Sequence, residues 1–182
     1  MPSVLAPIEA MESIYRRVAG PAFDHLPEAV KRAHGVPLSA RGEVDVRWSD
    51  RRTTRLVGRA MGLPPEGTGM PLRLEVSADG ERVVYDRWFG GHHLRTVQDV
   101  HRGWLREKVG AAALLYRLEA DAERLMYRTV GSRLLGVPLP GIAGASVTAA
   151  IEARDGGWRA RIEVRSPLLG KICEYEARME IR

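Results

Sequence analysis

The side chains that most often perform chemistry are present, but their spacing brings none of them together. His92 and His93 are adjacent, so on a strand they would point to opposite faces and could not share a metal ion. Cys173 is the lone cysteine, which excludes an internal disulfide and a cysteine-based metal cluster. Gly131-Ser132 lacks the surroundings of a nucleophile elbow, and the acidic residues fall on the outward register of predicted strands. We therefore predict no catalytic residue, no metal site and no cofactor.

Arg87 is the charged residue whose position is hardest to explain as surface. Residues 82–89 predict a strand with Val83, Tyr85, Arg87 and Phe89 on one face, which would place the guanidinium among apolar and aromatic neighbours. A buried guanidinium is costly unless it is paired. We expect it to meet either a carboxylate in a structural ion pair or an anionic group of a ligand, and we favour the ion pair.

Several tyrosines share strand faces with apolar residues, and buried tyrosine hydroxyls seek hydrogen-bond partners. An apolar interior with a few tyrosines and one arginine would suit a small amphipathic molecule bearing an acidic group. This hypothesis requires a cavity of roughly 300 Å³ or more, and the alternative is a filled core that binds nothing. The predicted ligand-binding residues are Arg87, Tyr85, Tyr116, Tyr127 and Tyr175.

The pattern of apolar residues predicts a mainly β (α+β) fold. From about residue 40 the apolar residues recur with a period of two, and Asp79-Gly80 and Asp155-Gly156-Gly157 predict tight turns. About ten antiparallel strands follow, with residues 131–144 as a loop. Such a meander hides its edges best as a closed barrel, or as a strongly curved sheet with a helix across its opening.

Helices are expected in two places. Residues 1–35 predict an N-terminal helical segment that packs on the sheet: one helix begins near Pro7 and ends at Gly20-Pro21, and a short second one ends at Gly35. His34 would lie at that second helix end, where the dipole favours an imidazolium. An inserted helix is predicted from Ser49 or Asp50 to Met61, and its expected core-facing residues are Leu56, Val57, Ala60 and Met61.

Composition limits the classes of function. The chain has 182 residues, which suits one domain over residues 1–182, and 45% of them are hydrophobic. The chain has a net charge of +5, and nearly all of its positive residues are arginines. Because these arginines alternate with acidic residues along the predicted strands, we disfavour nucleic-acid binding. No stretch is long and apolar enough for a membrane span, and residues 1–15 lack the pattern of a secretory signal. We expect a cytoplasmic protein, and the oligomeric state stays open.

An ordered series of short motifs resembles the bacterial family of domain of unknown function 4166 (DUF4166). The resemblance covers nearly the whole chain and implies a bacterial origin. Members of that family occur alone or joined to nicotinamide-binding, dehydrogenase-like modules, and no activity or catalytic residue follows from it. The motifs are Ser13-Ile14-Tyr15-Arg16-Arg17, Gly20-Pro21-Ala22-Phe23, Leu26-Pro27, Arg41-Gly42, Arg87-Trp88-Phe89-Gly90-Gly91, Leu134-Leu135-Gly136-Val137-Pro138-Leu139-Pro140, and Pro167-Leu168-Leu169-Gly170 followed by Tyr175.

Three hypotheses of function remain. The first is a non-enzymatic, β-barrel-like module that binds a small apolar or amphipathic molecule. The second is an accessory or interaction domain that partners an NAD(P)-dependent oxidoreductase, which a large exposed apolar patch would favour. The third is an enzyme of unrecognised type, which would need a cleft with an acid–base pair or nucleophile in hydrogen-bond reach.

Overall fold

A computed structural model describes residues 14–141 and 144–181 of the chain. Eleven antiparallel strands dominate it, in agreement with the predicted mainly β fold. Their bounds are β1 Leu38–Trp48, β2 Gly67–Asp79, β3 Arg82–Phe89, β4 His92–His101, β5 Trp104–Val109, β6 Ala112–Ala120, β7 Arg124–Leu134, β8 Val137–Pro138, β9 Ser146–Arg154, β10 Gly157–Ser166 and β11 Gly170–Ile181.

Ten of these strands close into a barrel. Around the barrel the order is β6, β5, β4, β3, β2, β1, β11, β10, β9, β7, and β6 pairs with β7 to complete the circle. Most neighbours in space are neighbours in sequence, because short turns such as the one at Gly80 (φ 62°) join antiparallel strands. Closure leaves no unpaired barrel edge among the described strands, so of the two expected arrangements, a closed barrel and a strongly curved sheet, the structure has the closed barrel.

The segment predicted as a loop over residues 131–144 is partly strand. β7 continues to Leu134, and the two-residue β8 folds back onto it. Leu135 and Gly136 both have positive φ (51° and 82°), the conformation of a tight primed hairpin turn. The prolines at 138 and 140 masked this short hairpin, because proline usually signals a loop.

Helices plug one end of the barrel. The described part of α1 (residues 14–19) leads into a 3₁₀ helix, Gly20–His25, and then into α2, Glu28–Ala33. Tyr15, Phe23 and Val30 on these elements are at most 1% exposed. The predicted helix boundary at Gly20 and the ending of α2 before Gly35 are confirmed, whereas the predicted beginning near Pro7 lies outside the described residues. We call this end, where β1 begins, the plugged end.

Helix α3, Arg52–Ala60, lies at the opposite, open end. The prediction that Leu56, Val57 and Ala60 face the core was wrong, because these residues are exposed, and Met61 is only partly buried. The helix instead packs through Thr54 and Gly58. A Cβ at Gly58 would lie 2.5 Å from the Trp48 ring, so glycine permits a closer approach than the apolar side chains would. None of the described helices is long and apolar enough to cross a bilayer.

Candidate functional site

A cavity of about 190 Å³ lies inside the barrel. Its volume is below the roughly 300 Å³ that the binding hypothesis required, so the cavity does not meet that requirement and has room only for an occupant smaller than the hypothesis assumed. The wall is mostly apolar, since the inward register of each strand supplies aliphatic and aromatic side chains. Apolar wall residues include Leu72, Leu74, Phe89, Leu94, Leu114, Val147, Ala149, Ile151, Trp158, Ala160 and Met179.

Arg87 points into this cavity from β3 and belongs to a polar cluster. Its guanidinium lies over the Tyr85 ring, 4.6 Å from the ring centroid, and its Nη1 donates to Thr96 Oγ1 at 2.9 Å. Thr96 Oγ1 in turn donates to Glu107 Oε1 at 2.7 Å, and Arg87 Nη2 is 3.6 Å from that same oxygen. Strands β3, β4 and β5 are adjacent, so each places one polar side chain at the same level of the barrel.

Glu107 corrects the prediction that the acidic residues face outward. It lies on the inward register of β5 with Leu105 and Val109, and its side chain is 14% exposed. Tyr116 donates to Glu107 Oε2 at 3.2 Å. Burial alone would lower the pKa of Arg87, but the Glu107 carboxylate and the neighbouring tyrosines Tyr175, Tyr85 and Tyr15 together outweigh this effect, and the pKa is raised. The pair is neutral overall, which agrees with the structural ion pair that the sequence favoured.

A second polar chain joins the cavity to the plugged end. Tyr15 on α1 donates to Gln98 Oε1 at 2.6 Å, and the Tyr15 and Tyr85 hydroxyls are 2.5 Å apart. Because the Tyr15 proton is used on Gln98, Tyr85 must donate to Tyr15. Burial raises the pKa of Tyr85 to about 12, and it raises that of Tyr15 as well. Both tyrosines therefore stay protonated and hold the α1 helix on the barrel.

His34 connects α2 to the far wall of the cavity. Its Nδ1 is 2.7 Å from the Val30 carbonyl oxygen, which can only accept, so Nδ1 carries the proton. Nε2 then accepts from the Tyr127 hydroxyl, also at 2.7 Å. Burial lowers the pKa of His34 to about 4. The predicted imidazolium at the helix end was therefore wrong, because the side chain is 4% exposed and desolvation outweighs the helix dipole.

Tyr175 differs from the other cavity tyrosines. Its ring packs edge-on against Phe89, and its hydroxyl makes no hydrogen bond to any residue that the structure describes. Burial raises the pKa of Tyr175, so the hydroxyl is a neutral donor. Arg87 donates a single hydrogen bond within the described residues, which leaves further N–H groups beside the cavity. The polar side of the cavity thus offers spare donors.

All five residues predicted from the sequence line the cavity: Arg87, Tyr85, Tyr116, Tyr127 and Tyr175. The prediction missed the partners that hold them, which are Tyr15, His34, Thr96, Gln98 and Glu107. Of these, Glu107 carried a readable signal, since Leu105, Glu107 and Val109 alternate on one strand face as Arg87 does with its neighbours.

The cluster is arranged for binding more clearly than for proton transfer. The pKa of each cavity tyrosine is raised by burial, which makes these hydroxyls poor acids at neutral pH. Cys173 is fully buried, and burial followed by the nearby Glu174 raises its pKa to about 12. In the described part of the chain, no three His, Cys, Asp or Glu side chains converge as metal ligands.

Access to the cavity is from the open end. At the plugged end the helical residues Ile14, Phe23 and Val30 are at most 2% exposed. Near the open end the cavity wall is looser, because Leu63, Leu94, Val109, Leu114 and Val147 are only half-buried. A small molecule would therefore enter past the β5–β6 hairpin and the segment after α3.

Comparison with known proteins identifies the family. Residues 26–179 match the family described as Domain of unknown function (DUF4166), and the chain belongs to it. A comparison with curated proteins finds no match. One solved structure is similar: a protein with unknown function from the DUF3598 family of Nostoc punctiforme, with a TM-score of 0.44 and 10% identity. The similarity covers 81% of this chain and 47% of that one, so this chain spans about half the length of the Nostoc protein.

Proposed function

We propose that this member of the DUF4166 family is a binding module whose barrel holds a small, mostly apolar molecule with one neutral hydrogen-bond acceptor. The observation that carries the proposal is the pairing of an apolar cavity with spare donors on Arg87 and Tyr175. An apolar wall selects the body of such a molecule, and a few polar groups fix its orientation.

The volume sets the size of the occupant. An engineered apolar cavity of about 150 Å³ is known to bind benzene, so about 190 Å³ accommodates a substituted benzene or a short aliphatic chain. A fatty acid or a nucleotide would not fit without expansion of the barrel. Ligands of this size bind weakly, with Kd values of roughly 0.01–1 mM.

The charge sets the kind of polar group. The sequence predicted a ligand with an acidic group because Arg87 had no known partner, but Glu107 already neutralises the guanidinium. A ligand carboxylate would add an uncompensated negative charge to a low-dielectric site, which is costly. A carbonyl or ether oxygen can accept from Arg87 or Tyr175 without that cost, so a neutral acceptor fits better.

The experiment compares three probes of similar size by ligand-detected NMR: acetophenone, ethylbenzene and benzoate. We expect acetophenone to bind most tightly, ethylbenzene several-fold more weakly because it leaves the donors unused, and benzoate most weakly. Native mass spectrometry of the freshly purified protein, compared with the denatured mass, checks for a ligand carried through purification.

Two matched pairs of variants locate the binding. Ala149→Leu fills the cavity, whereas Ala150→Leu makes the same change on the outer face of the same strand. Tyr175→Phe removes only the unpartnered hydroxyl, and it should lower the affinity for acetophenone toward that for ethylbenzene, with the Arg87 donors retaining part of the difference. Equal binding by Ala149→Leu and Ala150→Leu would refute binding in the barrel, and tightest binding by benzoate would refute the neutral-acceptor assignment.

A second candidate is the interaction domain. The exposed large apolar side chains at the open end, such as Leu135 and Leu56, favour a docking function of some kind. The fusion of other family members to dehydrogenase-like modules suggests an oxidoreductase as the partner. Size-exclusion chromatography with an NAD(P)-dependent dehydrogenase module of the kind joined to other family members would test this candidate, since a complex that Leu135→Asn abolishes supports it.

A further inference from the structure

The exposed large apolar side chains of the described residues gather at the open end. Leu56 on α3 is 70% exposed, Leu135 in the β7–β8 turn is 79% exposed, and Leu168 in the β10–β11 turn is 72% exposed. These three segments are separate in sequence, and each follows a strand that ends at the open end. We call the set the apolar rim: Leu56, Val57, Leu134, Leu135, Val137 and Leu168.

The described residues of the plugged end have no comparable feature. Among them, the large apolar residues at that end are buried or half-buried, and the one exposed large apolar residue outside the rim, Val130, is on the β7 strand itself. Exposed apolar side chains cost solubility, and their concentration at one end of the barrel favours contact there with an apolar phase or partner.

Charge follows the same division. Arg51, Arg52 and Arg59 on α3 are exposed, and none of them forms an ion pair with a described residue. Arg165 and Lys171 flank Leu168, but they are paired with Glu163 and Glu174, so the unpaired positive charge lies on α3. Acidic and basic side chains balance at the plugged end, whose turns carry Asp79, Glu81, Glu119, Asp121, Glu123 and Asp155 against Arg82, Arg102, Arg124 and Arg154, and whose helices carry Asp24 and Glu28 against Arg16, Arg17, Lys31 and Arg32.

We propose that the open end docks on an anionic lipid bilayer, with the rim leucines in the interfacial region and the α3 arginines against the lipid headgroups. A short basic helix with exposed Leu56 and Val57 has the chemistry of an interfacial element. Dispersed leucines, with unpaired arginines beside Leu56 and Val57 on α3, suit a fluid interface, whereas a protein interface requires a contiguous core depleted of charge.

Docking in this orientation has a consequence for the cavity. The open end would face the membrane, so an apolar molecule could pass between bilayer and barrel without crossing water. The predicted cytoplasmic location would place the protein beside a leaflet rich in anionic lipid. The docking surface does not depend on the cavity being occupied, so it stands or falls separately from the proposed ligand.

The test is co-sedimentation of the whole chain with vesicles of phosphatidylcholine, with and without phosphatidylserine. The wild type should bind the anionic vesicles, and added salt should weaken the binding because the headgroup contacts are screened. Arg52→Gln with Arg59→Gln should reduce the affinity by roughly thirtyfold, from about one kcal/mol for each arginine near the surface. The matched control is Arg82→Gln with Arg154→Gln at the plugged end, which removes the same charge and should change the affinity less than about threefold.

A second pair of substitutions tests the apolar contribution. Leu56→Gln with Leu135→Asn removes two exposed leucines, and asparagine tolerates the positive φ of position 135. This variant should keep its thermal stability and lose roughly tenfold or more in vesicle binding. No binding to anionic vesicles at low salt, or equal losses for the two arginine pairs, would overturn the proposal. If the protein bound an oxidoreductase through the apolar rim but did not bind vesicles, the membrane proposal would be overturned and a protein partner supported.

Discussion

Replacing Glu107 with glutamine would test how the charged cluster inside the barrel is held. The substitution keeps the shape but removes the counterion of Arg87, and it turns an amide N–H₂ toward Thr96 or Tyr116, both of which donate to the carboxylate. Removing one partner of a buried ion pair costs about 3–5 kcal/mol. The contact here is 3.6 Å and the two side chains are 22% and 14% exposed, so we expect a loss of about 2–3 kcal/mol.

Urea denaturation measures this loss through the midpoint and slope of the transition. The matched control is Glu119→Gln, which breaks the surface pair of Arg128 with Glu119 at 3.0 Å, where the side chains are 56% and 45% exposed. That control should lose less than about 1 kcal/mol, since solvent screens an exposed pair.

A double-mutant cycle separates the pair from its surroundings. In the background of Glu107→Gln, Arg87→Met should cost little or restore stability, because it removes the unpaired guanidinium. A stabilising Arg87–Glu107 pair would be refuted if Glu107→Gln lowered the free energy of unfolding no more than Glu119→Gln does, or if the losses at positions 87 and 107 were additive.

Three further predictions concern other buried groups. The pKa of His34 is about 4 in the native protein and about 6.5 in the unfolded chain, so the unfolded state binds a proton first as the pH falls from 6.5 to 4. The free energy of unfolding should therefore decrease across this range, by on the order of 3 kcal/mol more than in His34→Gln. Urea denaturation at each pH measures the difference. Cys173 is buried and its pKa is raised to about 12, so it should react with iodoacetamide only after denaturation. Mass spectrometry measures the added mass, and rapid alkylation of the native protein would contradict the burial of this thiol. Gly58→Ala should lower the free energy of unfolding by about 1–3 kcal/mol in urea denaturation, because the new Cβ would meet the Trp48 ring. The control is Gly62→Asn, at a position with open space and a φ of 69°, which should change that free energy by less than about 1 kcal/mol.

Much of the barrel was predictable because its signals are local. In β10 the apolar residues Trp158, Ala160, Ile162 and Val164 alternate with polar ones, and a period of two in sequence maps directly onto two strand faces. A turn such as Asp79-Gly80 likewise depends on the φ preferences of its own residues. Closure itself stayed open at the level of the sequence, because a strongly curved sheet would also hide its edges and only the pairing of β6 with β7 decides between the two.

The contacts that complete the site were not predictable, because they depend on which strands are neighbours. Glu107 meets Arg87 only because β4 lies between their strands and places Thr96 beside both. His34 finds Tyr127 across the barrel, at a separation that no periodicity encodes. For α3 the pattern itself misled, because an apolar helix face usually faces a core, and here it faces outward at the rim.

The proposed docking explains both the exposed apolar side of α3 and the electrically neutral interior of the barrel. If Leu56 and Val57 served only folding, burying them against Trp48 would remove more apolar surface from water than the present packing through Gly58 does. Their exposure beside unpaired arginines is favourable when the outer phase is itself apolar with anionic headgroups. An interior in which Glu107 cancels Arg87 is then suited to the uncharged molecules that a bilayer dissolves, so the docking and the ligand binding proposed above would favour the same chemical class.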